Sequence, residues 1–100
     1  MFDYSKLPEH CQSGMRLYVE QGVLPGSFLR AVISNNLVEA FAQADSTNIL
    51  RLFDYADFLY NEVPSPCWGS EEKMLAWAEK RRAAKVAEAK KVLGEREDID

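Results

Sequence analysis

The spacing of apolar residues divides the first two thirds of the chain into amphipathic helices. The first predicted helix begins at Pro8, and it ends at Gly22, where a positive φ can close it. The second begins at Pro25 and ends around the pair Asn35-Asn36. Each helix repeats its apolar residues at intervals that place them on one face. The inward residues predicted for these two helices are Cys11, Met15, Tyr18, Val19, Phe28, Leu29, Val32 and Ile33.

A short third helix follows directly. Asn36 is a suitable N-cap for it, and Glu39, three residues later, supplies the second half of a capping box. We expect Leu37, Phe41 and Ala44 to face inward. The helix is too short for its pattern to predict more than its position.

The fourth segment has the strongest helical pattern of the chain. It is capped by residues 45–47 and ended by Pro64 and Pro66, and its apolar spacing predicts one continuous helix. Its inward residues are Ile49, Leu52, Phe53, Ala56, Leu59, Tyr60 and Val63. Since no stretch alternates apolar and polar residues as a strand would, the predicted fold class is all-α: a compact bundle of four short helices plus a long C-terminal helix.

The turn before this long helix is the sharpest local signal. Gly69 permits a tight reversal, and Ser70 is a strong N-cap followed by acidic residues in the first turn. Trp68, just before the cap, and Trp77, two turns into the helix, are predicted to clamp the turn onto the bundle. The alternative is that Trp68 is exposed and anchors a partner, since tryptophan is frequent at interface hot spots.

Composition sets the domain organisation. The chain has 100 residues, which fits one domain, and 20 of its 25 Leu, Ile, Val and Phe residues fall in residues 1–69. We therefore expect a helical core domain at 1–69, a long helix at 70–93 that docks by its start, and an acidic disordered tail at 94–100. No apolar run is long enough to span a membrane and the N-terminus does not resemble a signal peptide, so we expect a cytoplasmic protein whose Cys11 and Cys67 are free thiols.

Charge narrows the class of partner. The net charge is −4, and residues 1–69 hold eight acidic side chains against four basic ones. This excess of acidic side chains disfavours binding of residues 1–69 to the negatively charged backbone of a nucleic acid. The exception is the basic part of the long helix, although acidic residues interspersed there are more typical of a solvated face. The alternative nucleic-acid-binding residues are Lys80, Arg81, Arg82 and Lys85.

No residue pattern indicates catalysis. His10 and Cys11 are adjacent on a helix, so their side chains point about 100° apart and do not form a base and nucleophile pair. Asp54 and Asp57 share one helix face and could offer two carboxylates to a cation, but no third ligand is predictable. We therefore predict a non-enzymatic protein with no cofactor and no metal.

Two blocks of sequence resemble a family of small proteins of bacteriophages and prophages. They are GMRLYVEQGVLPGSFLRAVISNNLVEAFAQADSTN at 14–48 and FLYNEVPSPCWGS at 58–70, which fit a pattern Y-[IV]-E-x-G-x-x-P-G-x-F-L-x-A-V followed by C-W-G-S. The resemblance assigns no activity and transfers no functional residue. It implies a small acidic phage protein in the host bacterial cytoplasm, of a kind that often acts by stoichiometric binding, for example as an inhibitor of CRISPR or another host defence.

Two functional hypotheses follow. The first is a phage-encoded binding protein that inhibits or redirects a host protein through an acidic, aromatic surface on the fourth helix. The predicted partner-binding residues are Asp54, Tyr55, Asp57, Glu62 and Trp68. The second is a nucleic-acid accessory protein of phage replication or packaging that uses the basic helix.

The long helix also predicts assembly. Its second half has little to bury, and its small and apolar residues keep an approximate three-four spacing with few supporting charge pairs. The predicted seam consists of Ala83, Val86, Ala87, Lys90 and Leu93. We expect a homodimer through the C-terminal helix, with a monomer carrying a solvated helix as the alternative.

Overall fold

The structure is a computed structural model that describes the backbone of residues 2–97 and the side chains of residues 2–92. All regular structure in that range is helical and contains no strand, so the predicted all-α class is confirmed. The α-helices are α1 (Glu9–Gln21), α2 (Ser27–Ile33), α3 (Leu37–Gln43), α4 (Ser46–Leu50), α5 (Leu52–Glu62) and α6 (Glu71–Glu97). Short 3-10 turns occupy Tyr4–Lys6 and Ser65–Cys67. None of the helices in this range is long and apolar enough to cross a membrane.

The fourth predicted helix is in fact two helices, and the prediction of one continuous helix was wrong. The break falls at Arg51, whose φ and ψ are −116° and 14°. Its guanidinium pairs with the Asp54 carboxylate and donates a hydrogen bond to the Lys6 carbonyl at 3.1 Å. This side chain links the junction of α4 and α5 to the N-terminal turn, a contact that apolar spacing does not reveal.

The last helix is longer than predicted. Its backbone is helical to Glu97, four residues beyond the expected end at 93, and so takes in part of the predicted disordered tail. Residues 98–100 of that tail and the side chain of Leu93 lie outside the described residues.

The core is organised around the fully buried Tyr18 of α1. Its hydroxyl lies 2.6 Å from the Cys67 carbonyl and 3.3 Å from the Met74 carbonyl, so it joins α1 to the 3-10 turn and to the start of α6. Burial raises the pKa of this phenol, which keeps the proton that the hydrogen bond needs. Around it pack Tyr4, Leu7, Met15, Val19, Leu29, Ile33, Tyr55, Phe58, Leu59, Val63, Met74 and Ala78.

The crossing of α1 and α6 depends on Gly22, the residue that ends α1. Its φ is 75°, in the left-handed region predicted from its position, and its N–H donates to the Tyr18 carbonyl at 3.0 Å. A Cβ at this position would lie 2.3 Å from the Ala78 carbonyl oxygen. Only glycine therefore allows both the turn and the close approach of α6.

Three side chains of α6 also form hydrogen bonds with the carboxyl end of α1. They lie one turn apart along α6 and reach the last residues of α1, whose backbone carbonyls have no partner within their own helix. Trp77 Nε1 donates to the Val19 carbonyl (3.0 Å), Arg81 Nε to the Glu20 carbonyl (3.1 Å) and Lys85 Nζ to Gln21 Oε1 (2.8 Å). Two positive charges thus lie at the negative end of the α1 dipole.

The predicted caps of α3 and α6 are confirmed by their hydrogen bonds. Ser70 Oγ accepts from the Lys73 N–H at 3.1 Å, and Asn36 Oδ1 accepts from the Glu39 N–H at 3.3 Å. The reciprocal half of the capping box is not formed, because the Asn36 N–H donates instead to the Ala31 carbonyl at 2.8 Å. Sequence thus located both helix starts.

Replacing Gly22 by serine should destabilise the protein by about 3 kcal/mol, because a left-handed backbone and a displaced helix are each costly. Gly26→Ser is the matched control: a Cβ there meets nothing within 4 Å, φ is −73°, and serine is a suitable cap for α2. Urea unfolding followed by circular dichroism measures both variants. Equal stability of the two would contradict the proposed role of Gly22.

Candidate functional site

Exposed apolar side chains are concentrated on α3, α4 and α5. The side chain of Phe53 is 81% exposed and that of Tyr60 is 78% exposed, although both are aromatic. Single exposed apolar residues are ordinary on protein surfaces, whereas a group of them marks an interaction site. The group consists of Leu37, Val38, Phe41, Ile49, Leu50, Phe53 and Tyr60.

Part of this group lines a groove of about 430 Å³ between α2 and α3 on one side and α5 on the other. We call it the α3–α5 groove. Its buried floor is formed by Ala31, Ala40, Tyr55 and Leu59, and its large exposed apolar side chains are Leu37, Phe53 and Tyr60. The remaining lining residues are Val32, Leu52, Ala56, Trp68 and the polar Asn35, Asn36, Asp57 and Asn61.

The groove exists because the apolar surface of α5 is wider than the core can cover. Tyr55, Phe58 and Leu59 are buried, whereas Phe53 and Tyr60 are turned to the groove. The prediction that Phe53, Ala56 and Tyr60 face inward was therefore wrong, as was that for Ile49 of α4. Leu59 and Val63 are buried as predicted.

The prediction for α3 was wrong in the same way. Ala40 is its buried residue, while Leu37 and Phe41 are 71% and 60% exposed and Ala44 is partly buried. The helix follows α2 through a tight turn in which Asn35 has a φ of 62°, and its small Ala40 side faces the body. The larger side chains that flank Ala40 are left to the surface.

The predicted acidic surface on α5 is neutralised from within the chain. Lys6 Nζ lies 2.9 Å from Glu62 Oε2 and 3.5 Å from Asp57 Oδ2. Glu62 also accepts a hydrogen bond from the Asp3 N–H at 3.0 Å. The hydrogen bond from Lys6 and then that from the Asp3 backbone lower the pKa of Glu62. Asp57 and Glu62 therefore share one cation, which weakens, without cancelling, the field that they present to a partner.

The five predicted partner-binding residues do not form one accessible surface. Tyr55 is 1% exposed and donates a hydrogen bond to Asn48 Oδ1 at 2.7 Å, so its place on the predicted surface was wrong. Asp54 pairs with Arg51 at the junction of α4 and α5. Trp68 is partly buried and lines the α3–α5 groove, together with Asp57. Trp68 therefore contacts the core, as the clamp prediction requires, and still borders an open surface.

Two of the four predicted nucleic-acid-binding residues are engaged by the body. Arg81 and Lys85 hold the end of α1, as described above. Arg82 Nε donates to the Ala78 carbonyl of its own helix at 3.3 Å, and Lys80 Nζ lies 6.0 Å from the centre of the Trp77 ring. The geometry assigns a structural role to Arg81 and Lys85, and the nucleic-acid hypothesis stays a prediction.

The surroundings of His10 and of the two cysteines indicate structural roles for these side chains. His10 Nε2 lies 3.0 Å from Asp45 Oδ2, a distance that pairs α1 with the cap of α4. Both cysteines are free thiols, and burial raises the pKa of Cys67 to about 12, which keeps it protonated. No group of three metal-ligating side chains is found among the described residues.

No protein-family model matches this chain, and neither a curated protein nor a solved structure matches it. The resemblance to phage proteins therefore stays a prediction.

The substitution Tyr55→Phe should lower the free energy of unfolding by about 1–2 kcal/mol, because the buried side-chain carbonyl of Asn48 loses a hydrogen-bond donor. Tyr60→Phe is the control, and it should change stability by less than about 0.5 kcal/mol because Tyr60 is exposed. Denaturant unfolding measures both. A Tyr55→Phe variant as stable as Tyr60→Phe would show that Tyr55 is not a structural residue.

Replacing Lys6 by methionine should raise the pKa of Glu62 toward its ordinary value. A carboxyl group whose pKa is lowered by folding stabilises the protein above its unfolded pKa, and that contribution is lost as the pH falls through the folded value. The variant should therefore lose less stability than the wild type below about pH 4.5. Carbon-13 NMR titration of the Glu62 carboxyl group measures the shift, with Lys80→Met as control. An unchanged pKa of Glu62 would contradict the ion pair.

Proposed function

We propose that this protein is a non-enzymatic binding protein whose α3–α5 groove receives an amphipathic helix of a partner protein. The observation that carries the proposal is the exposure of Phe53, Tyr60 and Leu37 around a preformed groove. Binding would remove these side chains from water, and each Å² of apolar surface that is buried contributes about 25 cal/mol of favourable free energy. A helix in an apolar groove is a recurring mode of recognition.

The charge around the groove, rather than in it, selects the kind of helix. Asp57 is the only charged side chain among the described residues of the lining, and it is already paired with Lys6. The surrounding body is acidic, with eight acidic and four basic residues in 1–69. A helix with an apolar face and basic flanks is therefore the complementary occupant, and an acidic helix would be repelled.

The phage setting implied by the sequence resemblance makes a host protein the partner to seek. Binding would inhibit or redirect that protein by covering one of its own helices, and interference with CRISPR or another host defence is one form this would take. The proposal keeps Asp57 and Trp68 from the predicted partner-binding residues and adds the apolar side chains of the groove.

The wild type should bind a designed helical peptide with a Leu and Ala face and lysine flanks more tightly than a peptide with the same face and glutamate flanks. Phe53→Lys should abolish binding of the basic peptide, because it places a cation where an aromatic side chain makes the contact. Fluorescence anisotropy of labelled peptides measures the affinities.

Val23→Lys is the matched control, since Val23 is exposed but does not line the groove. It should leave both affinities unchanged, and both variants should keep the wild-type helix content by circular dichroism because the replaced side chains are exposed. Equal binding of the basic peptide by the wild type and Phe53→Lys would place the binding surface elsewhere.

A further inference from the structure

The second half of α6 is exposed to solvent, and Lys85 Nζ ties its start to Gln21 of α1. Every side chain from Arg82 to Val92 is exposed. The helix has 27 residues, so it is about 40 Å long. The greatest extent of the molecule is 57 Å against 26 and 22 Å in the other directions, so this half of α6 projects beyond the body.

This projecting half combines an apolar stripe with basic charge. Ala83, Val86 and Ala87 share one surface with the basic Arg82 and Lys90, and the acidic Glu79 lies at its start. Six basic residues and one acidic residue lie between Lys80 and Val92. The segment therefore has the chemistry that the α3–α5 groove selects: a narrow apolar face, small enough for close approach, with cations along its edges.

We propose that the 80–92 segment of α6 of a second copy of this chain occupies the α3–α5 groove, and that the exchange is reciprocal. The inference rests on the proposed function, because it uses the same groove. Charge complementarity supports it: residues 1–69, which form the groove, hold eight acidic and four basic side chains, and the segment keeps Lys80, Arg82, Lys90 and Lys91 besides the Arg81 and Lys85 that bond to α1.

Symmetry strengthens this choice of occupant. In a two-fold dimer each chain gives its helix and receives its partner's, so every contact is made twice. The two insertions together would cover the exposed apolar side chains of the groove and the apolar stripe of α6 in both chains. The dimer is then the form present without a target, and a partner helix must displace the α6 segment from the groove.

Light scattering after size exclusion tests this assembly in the full chain. The wild type should be a dimer, and Phe53→Lys and Val86→Glu should each raise the dimer dissociation constant by at least about 30-fold, as loss of a hot spot does. Both residues are exposed, at 81% and 53%, and glutamate is a good helix former, so both variants should fold.

An equimolar mixture of the two variants is the decisive sample. A mixed dimer has one fully wild-type contact, between the helix of the Phe53→Lys chain and the groove of the Val86→Glu chain. The mixture should therefore form dimers at a concentration where each variant alone is monomeric. The controls Val23→Lys and Ala84→Glu, which change exposed residues outside the groove and the stripe, should remain dimers.

Three results would overturn the inference. A wild type that is monomeric at about 200 μM would leave the groove without a second copy, and the peptide titration would then decide the proposed function separately. Dissociation by Val86→Glu but not by Phe53→Lys would indicate contact between two α6 helices. Dissociation by Phe53→Lys but not by Val86→Glu would place a different segment of the second copy in the groove.

Discussion

The close crossing of α1 and α6 is the constraint on which the rest of the structure depends. Gly22 removes the side chain that would collide with the Ala78 carbonyl, and three side chains of α6 then satisfy the end of α1. Tyr18, one turn before Gly22, ties the same place to the turn that precedes α6. This arrangement fixes the start of α6 against the body with hydrogen bonds rather than with a long apolar seam, and it leaves the second half of the helix free.

A body built in this way is too small to bury all of its apolar side chains. The core takes one side of α5, which leaves Phe53 and Tyr60 on the surface. A surplus of apolar surface is costly in a monomer, and natural proteins retain it where a partner covers it. The shape of the α3–α5 groove and its scarcity of charge make a helix the most suitable cover. We propose that this groove receives a basic helix, and the second half of α6 has that chemistry.

The sequence predicted what depends on neighbouring residues. Gly22, Asn36 and Ser70 were located by local chemistry, and the structure gives each its expected role. The break at Arg51 was not predictable, because its side chain bonds to the carbonyl of Lys6, 45 residues away in sequence. The buried part of α5 was predicted only in part. Its apolar residues form one wide arc, and the prediction placed Leu59 and Val63 correctly in the core but also Phe53 and Tyr60, because the part that is buried depends on contacts with distant segments.

The candidate site was predicted only in part for the same reason, because it depends on contacts between residues distant in sequence. The acidic residues of α5 were recognisable from sequence, but their neutralisation by Lys6 depends on a distant contact. The groove itself arises from side chains that a helical pattern assigns to the core.

The most direct test is an amide NMR titration of the wild type with a lysine-flanked amphipathic peptide. If the groove is the binding surface, the largest shift changes will fall on α3 and α5 around Leu37, Phe53 and Tyr60. Shift changes confined to α1, or none at all, would contradict it.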